Sequence, residues 1–196
     1  MSSGERGVNT TIVCCENAAC SCVPPIIIYK RKRMPNELKV GAPPGAIVTI
    51  SDTGYINADI FIEWLKHFIS NVKFSNDNKV LLLLDGHTTH SKNLDAILLA
   101  RENGVILLQL AGHTTHRLQP LDVSFFKPME MYFTQAIQKW LRTNPGSAVS
   151  PYTMTALLSE AYSRSASIVT ISNGFRATGV WPVDRGVFSD VDFVAI

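Results

Sequence analysis

The chain is short of net charge, of long apolar runs and of cysteine, and each shortage excludes a class of protein. Its 18 basic and 16 acidic residues leave a formal charge of +2. A partner such as nucleic acid must therefore be argued from sites, because a basic stripe can hide in a balanced composition. Uninterrupted apolar runs such as Val80 to Leu84 fall far below the roughly 20 residues of a membrane span, so no membrane partner is expected. The 4 cysteines, Cys14, Cys15, Cys20 and Cys22, are bunched near one end. A secreted disulfide scaffold spreads its cysteines to staple distant loops, so free thiols are expected here. Met1 to Thr11 is polar and lacks the apolar core of a secretory signal, which points to a reducing, intracellular setting.

What is present is a globular composition. With 196 residues, 46% hydrophobic and 17% charged, the chain is long enough for one domain with a sizeable core and too apolar for a disordered tail. Thr10 to Cys15 and Val23 to Tyr29 read as two strands of a hairpin, with Pro24-Pro25 making the second an edge strand or delaying it to Ile26. Lys30 to Ser51, which opens with the basic run KRKR, reads as a long loop.

From Asn57 the apolar spacing turns helical through Ile60, Phe61, Trp64, Leu65, Phe68 and Ile69, with Asn57 or Asp59 as N-cap. Val80 to Leu84 and Val105 to Leu110 read as strands buried on both faces. They are joined by a helix that Ser91 caps and that carries Leu94, Ile97 and Leu98 on one face. That order makes a right-handed βαβ unit, in which ligands gather at the carboxyl ends of the strands. A further helix carries Met129, Phe133, Ala136, Ile137, Trp140 and Leu141, another starts at Ser150-Pro151 and runs to about Ser167, and Ile168 to Ile196 reads as loop. Trp64, Phe68, Phe133 and Trp140 are most simply core.

Two constellations carry chemistry. Asp85 ends the first buried strand, and Asp122, in LQPLDV, follows the second at the same end of the sheet. Carboxylates brought together repel unless a proton or cation intervenes, and hard divalent ions prefer oxygen ligands. The competing reading makes each aspartate a cap of a neighbouring turn or helix. The two GHTTH segments place His87, His90, His113 and His116 near these acids, a donor set that zinc or manganese hydrolases use, although loop histidines also serve as ordinary hydrogen-bonding residues. The cysteine spacing matches no zinc motif. Lys30, Arg31, Lys32 and Arg33 suit phosphate contacts or a nuclear address as well as a solvated loop.

LLLLDGHTTH, HTTHRLQPLDVSFFKP and SNGFRATGVWPV resemble, in order, the signature blocks of the DDE superfamily endonuclease domain of the Tigger, jerky and pogo group of transposases. Weaker similarity runs upstream through GAPPGAIVTISDTGYINADIFIEWLKHF and NAACSCVPPIIIYKRKRM. The resemblance implies an α/β, ribonuclease H-like mixed sheet flanked by helices, over residues 1–190 with 191–196 as a tail. It also implies three acids that hold two Mg²⁺ or Mn²⁺ ions for DNA strand cleavage and transfer, with Asp85 as second and Asp122 as third. His87, His116 and the run Lys30 to Arg33 become candidate DNA contacts, and the nucleus the expected location.

The pattern departs from the family where the first acid belongs. That acid sits on the first, central strand, upstream of the block resembling SSGERGVNTTIVCC, and neither Glu5 nor Asp52 matches it. Ala111-Gly112 stands where relatives carry two prolines. The expectation is a domain incomplete at its N-terminus and inactive alone, with an unpaired side on both the 10–29 hairpin and the 80–84 strand. A second copy or a partner chain would then complete the sheet. The alternatives are a domesticated, non-catalytic module that binds DNA or protein and, third, a histidine-aspartate metal hydrolase.

Overall fold

The computed structural model describes residues 9–73, 78–86, 93–112, 114–189 and 192. Among these, strands β1 (Thr10–Glu16), β2 (Cys22–Lys30) and β3 (Ile47–Ser51) form one sheet in that order, and β4 (Val80–Leu84) pairs with β5 (Val105–Gln109) in a second. The helices are α1 (Ala58–Asn71), α2 (Leu94–Glu102), the single turn α3 (Thr115–Leu118), α4 (Phe126–Thr143), α5 (Pro151–Ser165) and α6 (Ile168–Ala177). This is the mixed α/β architecture expected from the sequence, with the βαβ unit β4-α2-β5 parallel throughout.

The hairpin forms as expected, but β2 is the central strand of its sheet rather than an edge. Its prolines are tolerated because the antiparallel register jumps between Val13↔Ile26 and Cys15↔Val23, and Pro24-Pro25 falls in that irregularity. Parallel pairing with β3 begins only at Ile26, so neither missing N–H is asked for a ladder bond. The stretch 30–51, expected as loop, ends in β3 and includes a 3-10 turn at Asn36–Lys39. AIVTIS is rich in β-branched residues and long enough for a strand.

Alternation along β2 sets the layers. Ile26 and Ile28 face a core shared with Phe61, Trp64 and Leu65 of α1, Ala96 and Ala100 of α2, and Leu82 and Leu84 of β4. Ile27 and Tyr29 face the opposite side, with Leu38, Phe125, Met129, Leu158 and Tyr162. The β2–β3 connection, carrying Leu38, thus crosses the second face, whereas the β3–β4 connection, carrying α1, crosses the first. Neither β1 nor β4 has a second strand partner among the described residues: β1 pairs only with β2, and β4 only with β5.

Three other expectations are corrected. β4 and β5 are covered on one face only: Leu82 and Leu84 are buried, while Leu81, Ile106 and Leu108 are about half exposed. α2 buries its small side, Ala96 and Ala100, and turns Leu94, Ile97 and Leu98 outward. Small residues let a helix lie close to a two-stranded sheet, and that proximity outweighs the larger side chains. Asn93 caps this helix, accepting from Ala96 N at 3.2 Å, and Ser91 lies outside the described residues. Finally, residues 168–177 are a helix and not loop, capped by Ser167 on Thr170 N. Trp64 and Phe68 are core as expected; Phe133 packs at the margin of the second cluster, and Trp140 is half-buried.

Candidate functional site

The site is built at one rim of the sheets. α1 begins just past the C-terminal end of β3, at Asn57, whose side chain accepts from Ile60 N at 2.9 Å. α2 begins past the end of β4, and Asn93 Nδ2 donates to Ala58 O at 3.1 Å. The two helix starts touch, so the C-terminal ends of β3 and β4 lie at the same rim. Parallel pairing adds the ends of β2, where Lys30 sits opposite Ser51, and of β5. Asp85 therefore shares a rim with the basic run that follows β2.

Asp85 directly follows Leu84 and is half-buried. The next residue, Gly86, is pressed against the loop after β5: a Cβ there would lie 3.3 Å from Gly112 Cα. Leu110 N donates to Leu84 O at 2.8 Å, extending the ladder to the rim. Of the basic residues, Lys30, Lys32 and Arg33 are exposed. Arg31 is fixed, its N–H donating to Ser51 O at 3.1 Å and its guanidinium lying 5.4 Å from the ring centroid of Tyr152. His116 is exposed on α3. His87, His90 and His113 lie outside the described residues, as does Glu5.

Asp122 sits on a π-helical turn, Leu121–Phe125, in which Phe126 N donates to Leu121 O. Such a turn inserts one residue into a helix and recurs at functional positions. Buried Phe125 anchors the turn in the second core, edge-on to Phe126 and Tyr162. Behind the turn stands α6. Ser124 Oγ donates to Thr170 O at 2.8 Å, and Gly174 faces the turn so closely that a Cβ would come within 2.6 Å of Pro120 O. Sequence reasoning includes Gly174 in the family-like block SNGFRATGVWPV and Ser124 in HTTHRLQPLDVSFFKP but gives neither a role, and it reads 168–196 as loop. The available signal is the pair Ser167 and Thr170, which repeats the capping pair Ser150 and Thr153. The C-terminal segment folds back on α3, where Arg117 pairs with Asp192 and lies over Phe188.

The four thiols are free, as expected. Cys22 lies opposite Glu16 across the hairpin. Glu16 Oε1 is buried without a hydrogen-bond partner, and burial raises the carboxyl to about 8. Burial also pushes Cys14 and Cys22 up, and Cys15 to about 12, so these are not activated nucleophiles.

Among the described residues no three His, Cys, Asp or Glu gather in a metal-holding group. Asp85 and Asp122 supply hard oxygen donors, but two carboxylates do not complete a two-ion centre, so the described residues do not fit that group.

Parallel strands whose C-terminal ends carry a carboxylate and a basic run define an α/β protein, a class in which ligands generally gather at the sheet rim. The chain belongs to the DDE superfamily endonuclease family, whose model matches residues 7–175. Members of that family act on nucleic acid and typically use divalent metal ions. A protein of Cochliobolus lunatus named MFS-type transporter clz9 is 27% identical over 144 residues, covering 71% of this chain and 15% of that protein. The chain thus spans a small part of that relative, and among its described residues no helix is long and apolar enough to cross a membrane. No solved structure matches the chain.

Proposed function

We propose that this chain is a transposase-derived DDE endonuclease-like domain of the Tigger, jerky and pogo group that binds DNA at the rim carrying Asp85 and Lys30 to Arg33. Asp85 and Asp122 descend from a Mg²⁺- or Mn²⁺-dependent cleavage site, and the chain works in the nucleus as a DNA-bound, non-cleaving domain. The observation that carries this reading is the shared rim: a carboxylate at a strand end and a basic run at the next sheet's end, within a family-wide match. The open sides of β1 and β4 favour a second component, in which another polypeptide supplies a strand that completes the sheet.

Two measurements test it. DNA binding should weaken steeply with salt, and a Lys32→Ala/Arg33→Ala double variant should lower the salt slope by about one for each phosphate that is no longer neutralised. Binding that is absent at low salt would remove the DNA reading. Plasmid incubated with the chain and Mg²⁺ or Mn²⁺ should stay un-nicked. Nicking that Asp85→Ala abolishes would overturn the non-cleaving assignment and restore Asp85 to catalysis.

A further inference from the structure

We propose that α6 is the positioning element of Asp122, acting through Gly174 and Ser124. This rests on Asp122 being a site residue. Glycine in a helix interior is unfavourable relative to alanine by about 1 kcal/mol, so a buried one needs a reason. Here the reason is contact: a Cβ at 174 would collide with Ser124 Oγ and come 2.6 Å from Pro120 O, with Pro120 C at 3.1 Å. These atoms belong to the turn that carries Asp122 and to the residue before it. Backbone thus meets backbone, and the turn cannot approach α6 in this way over any side chain larger than hydrogen.

The contact is also directional. Ser124 Oγ donates to Thr170 O at 2.8 Å, one helical turn before Gly174, and lies 3.2 Å from Pro120 O within its own turn. Phe125, fully buried on the other side, fixes the second flank. The π-helical turn is wedged between two rigid surfaces, and the extra residue it contains sets the rotation at which Asp122 leaves the helix. α6 is itself held, since Ile171 is buried and Thr178 Oγ1 donates to Gly174 O at 2.9 Å. The SNGFRATG segment is adjacent to neither acid in sequence, yet it decides where one of them stands.

The test compares Gly174→Ala with Asn173→Ala, an exposed neighbour on the same helix, using the whole chain without DNA or metal. If 174 were an open helical position, alanine would raise the melting temperature. The expected result is the reverse: amide exchange over residues 119–125 accelerates about tenfold or more, the factor to which about 1.4 kcal/mol of overpacking corresponds. The Asp122 carboxyl carbon resonance moves, while that of Asp85 stays.

A raised melting temperature with an unmoved Asp122 resonance overturns the proposal, as does a disturbance that reaches Asp85 equally. Should Gly174→Ala fail to fold, Ser124→Ala alone decides, because losing the Thr170 bond must shift Asp122. None of these readouts needs DNA or catalysis. Failure of the DNA-binding reading would leave them intact, and their failure would leave DNA binding untouched.

Discussion

The sheet β1-β2-β3 and the pair β4-β5 are built from equally apolar strands, yet only the first is covered on both sides. Ile26 and Ile28 on one face of β2 and Ile27 and Tyr29 on the other are all essentially inaccessible, because α1 lies over one face and α4 with α5 over the other. On β4-β5 the inner face reaches the same core, while Leu81, Ile106 and Leu108 meet solvent. The three-stranded sheet is the platform that stabilises the chain. The pair is a blade whose outer face contributes little to folding and whose rim carries Asp85.

The sharpest way to break that contrast is to cut equal pieces from each region. Ile27→Ala should cost about 2–5 kcal/mol, since it removes buried methylenes and leaves a cavity between β2 and the second core. A urea titration reads this directly. A cost below about 1 kcal/mol would mean that the second face is loosely packed and that the two regions do not differ as described.

Periodicity makes one part of the fold legible in the sequence, and proximity hides the rest. The hairpin, α1 with its Asn57 cap, the parallel pair and the Ser150-Pro151 helix start can all be read from alternation, capping and breaker residues. β3 is hidden because its strand signal, AIVTIS, follows a run of prolines and glycines that reads as loop. The faces of α2 come out inverted because Leu94, Ile97 and Leu98 look like a core stripe, whereas Ala96 and Ala100 win by letting the helix lie close. The role of Gly174 is invisible for a related reason: a glycine's close approach is to a partner distant in sequence, and only the fold supplies that partner. Asp85 is legible from its strand-end position and both acids from the family resemblance, whereas Asp122 stands on a π-helical turn well past β5; the DNA-binding and nicking measurements decide their roles.

A smaller effect separates the regions by pH. Glu16, at the end of β1, has its carboxyl raised to about 8 from 4.5 by burial, with one oxygen lacking a partner. Its folded pKa lies above its unfolded value. The stability it allows is therefore fully present below about pH 4.5 and is lost as pH rises towards 8, where the buried group must ionise. Cys14, Cys15, Cys22 and Tyr162 around it are all pushed upward and stay neutral across that window. Glu16→Gln should flatten the slope and, near pH 8, stabilise the chain by roughly 1–3 kcal/mol, allowing for the part of the carboxyl that water still reaches. Equal slopes for the two proteins in urea titrations at pH 5 and 8 would show that Glu16 is hydrated.

The smallest effect is the most telling about the blade. Leu81→Thr replaces a half-exposed leucine on β4 with a β-branched residue of good strand propensity. In the isolated chain it should change stability by no more than about 0.5 kcal/mol, because little apolar area is lost from cover. A loss as large as that of Ile27→Ala would mean that something covers the outer face in solution. Sedimentation of the wild type across concentrations would then separate self-association from cover within the chain. A null result keeps the asymmetry: the chain is held by its three-stranded platform, and the blade is free to present its rim.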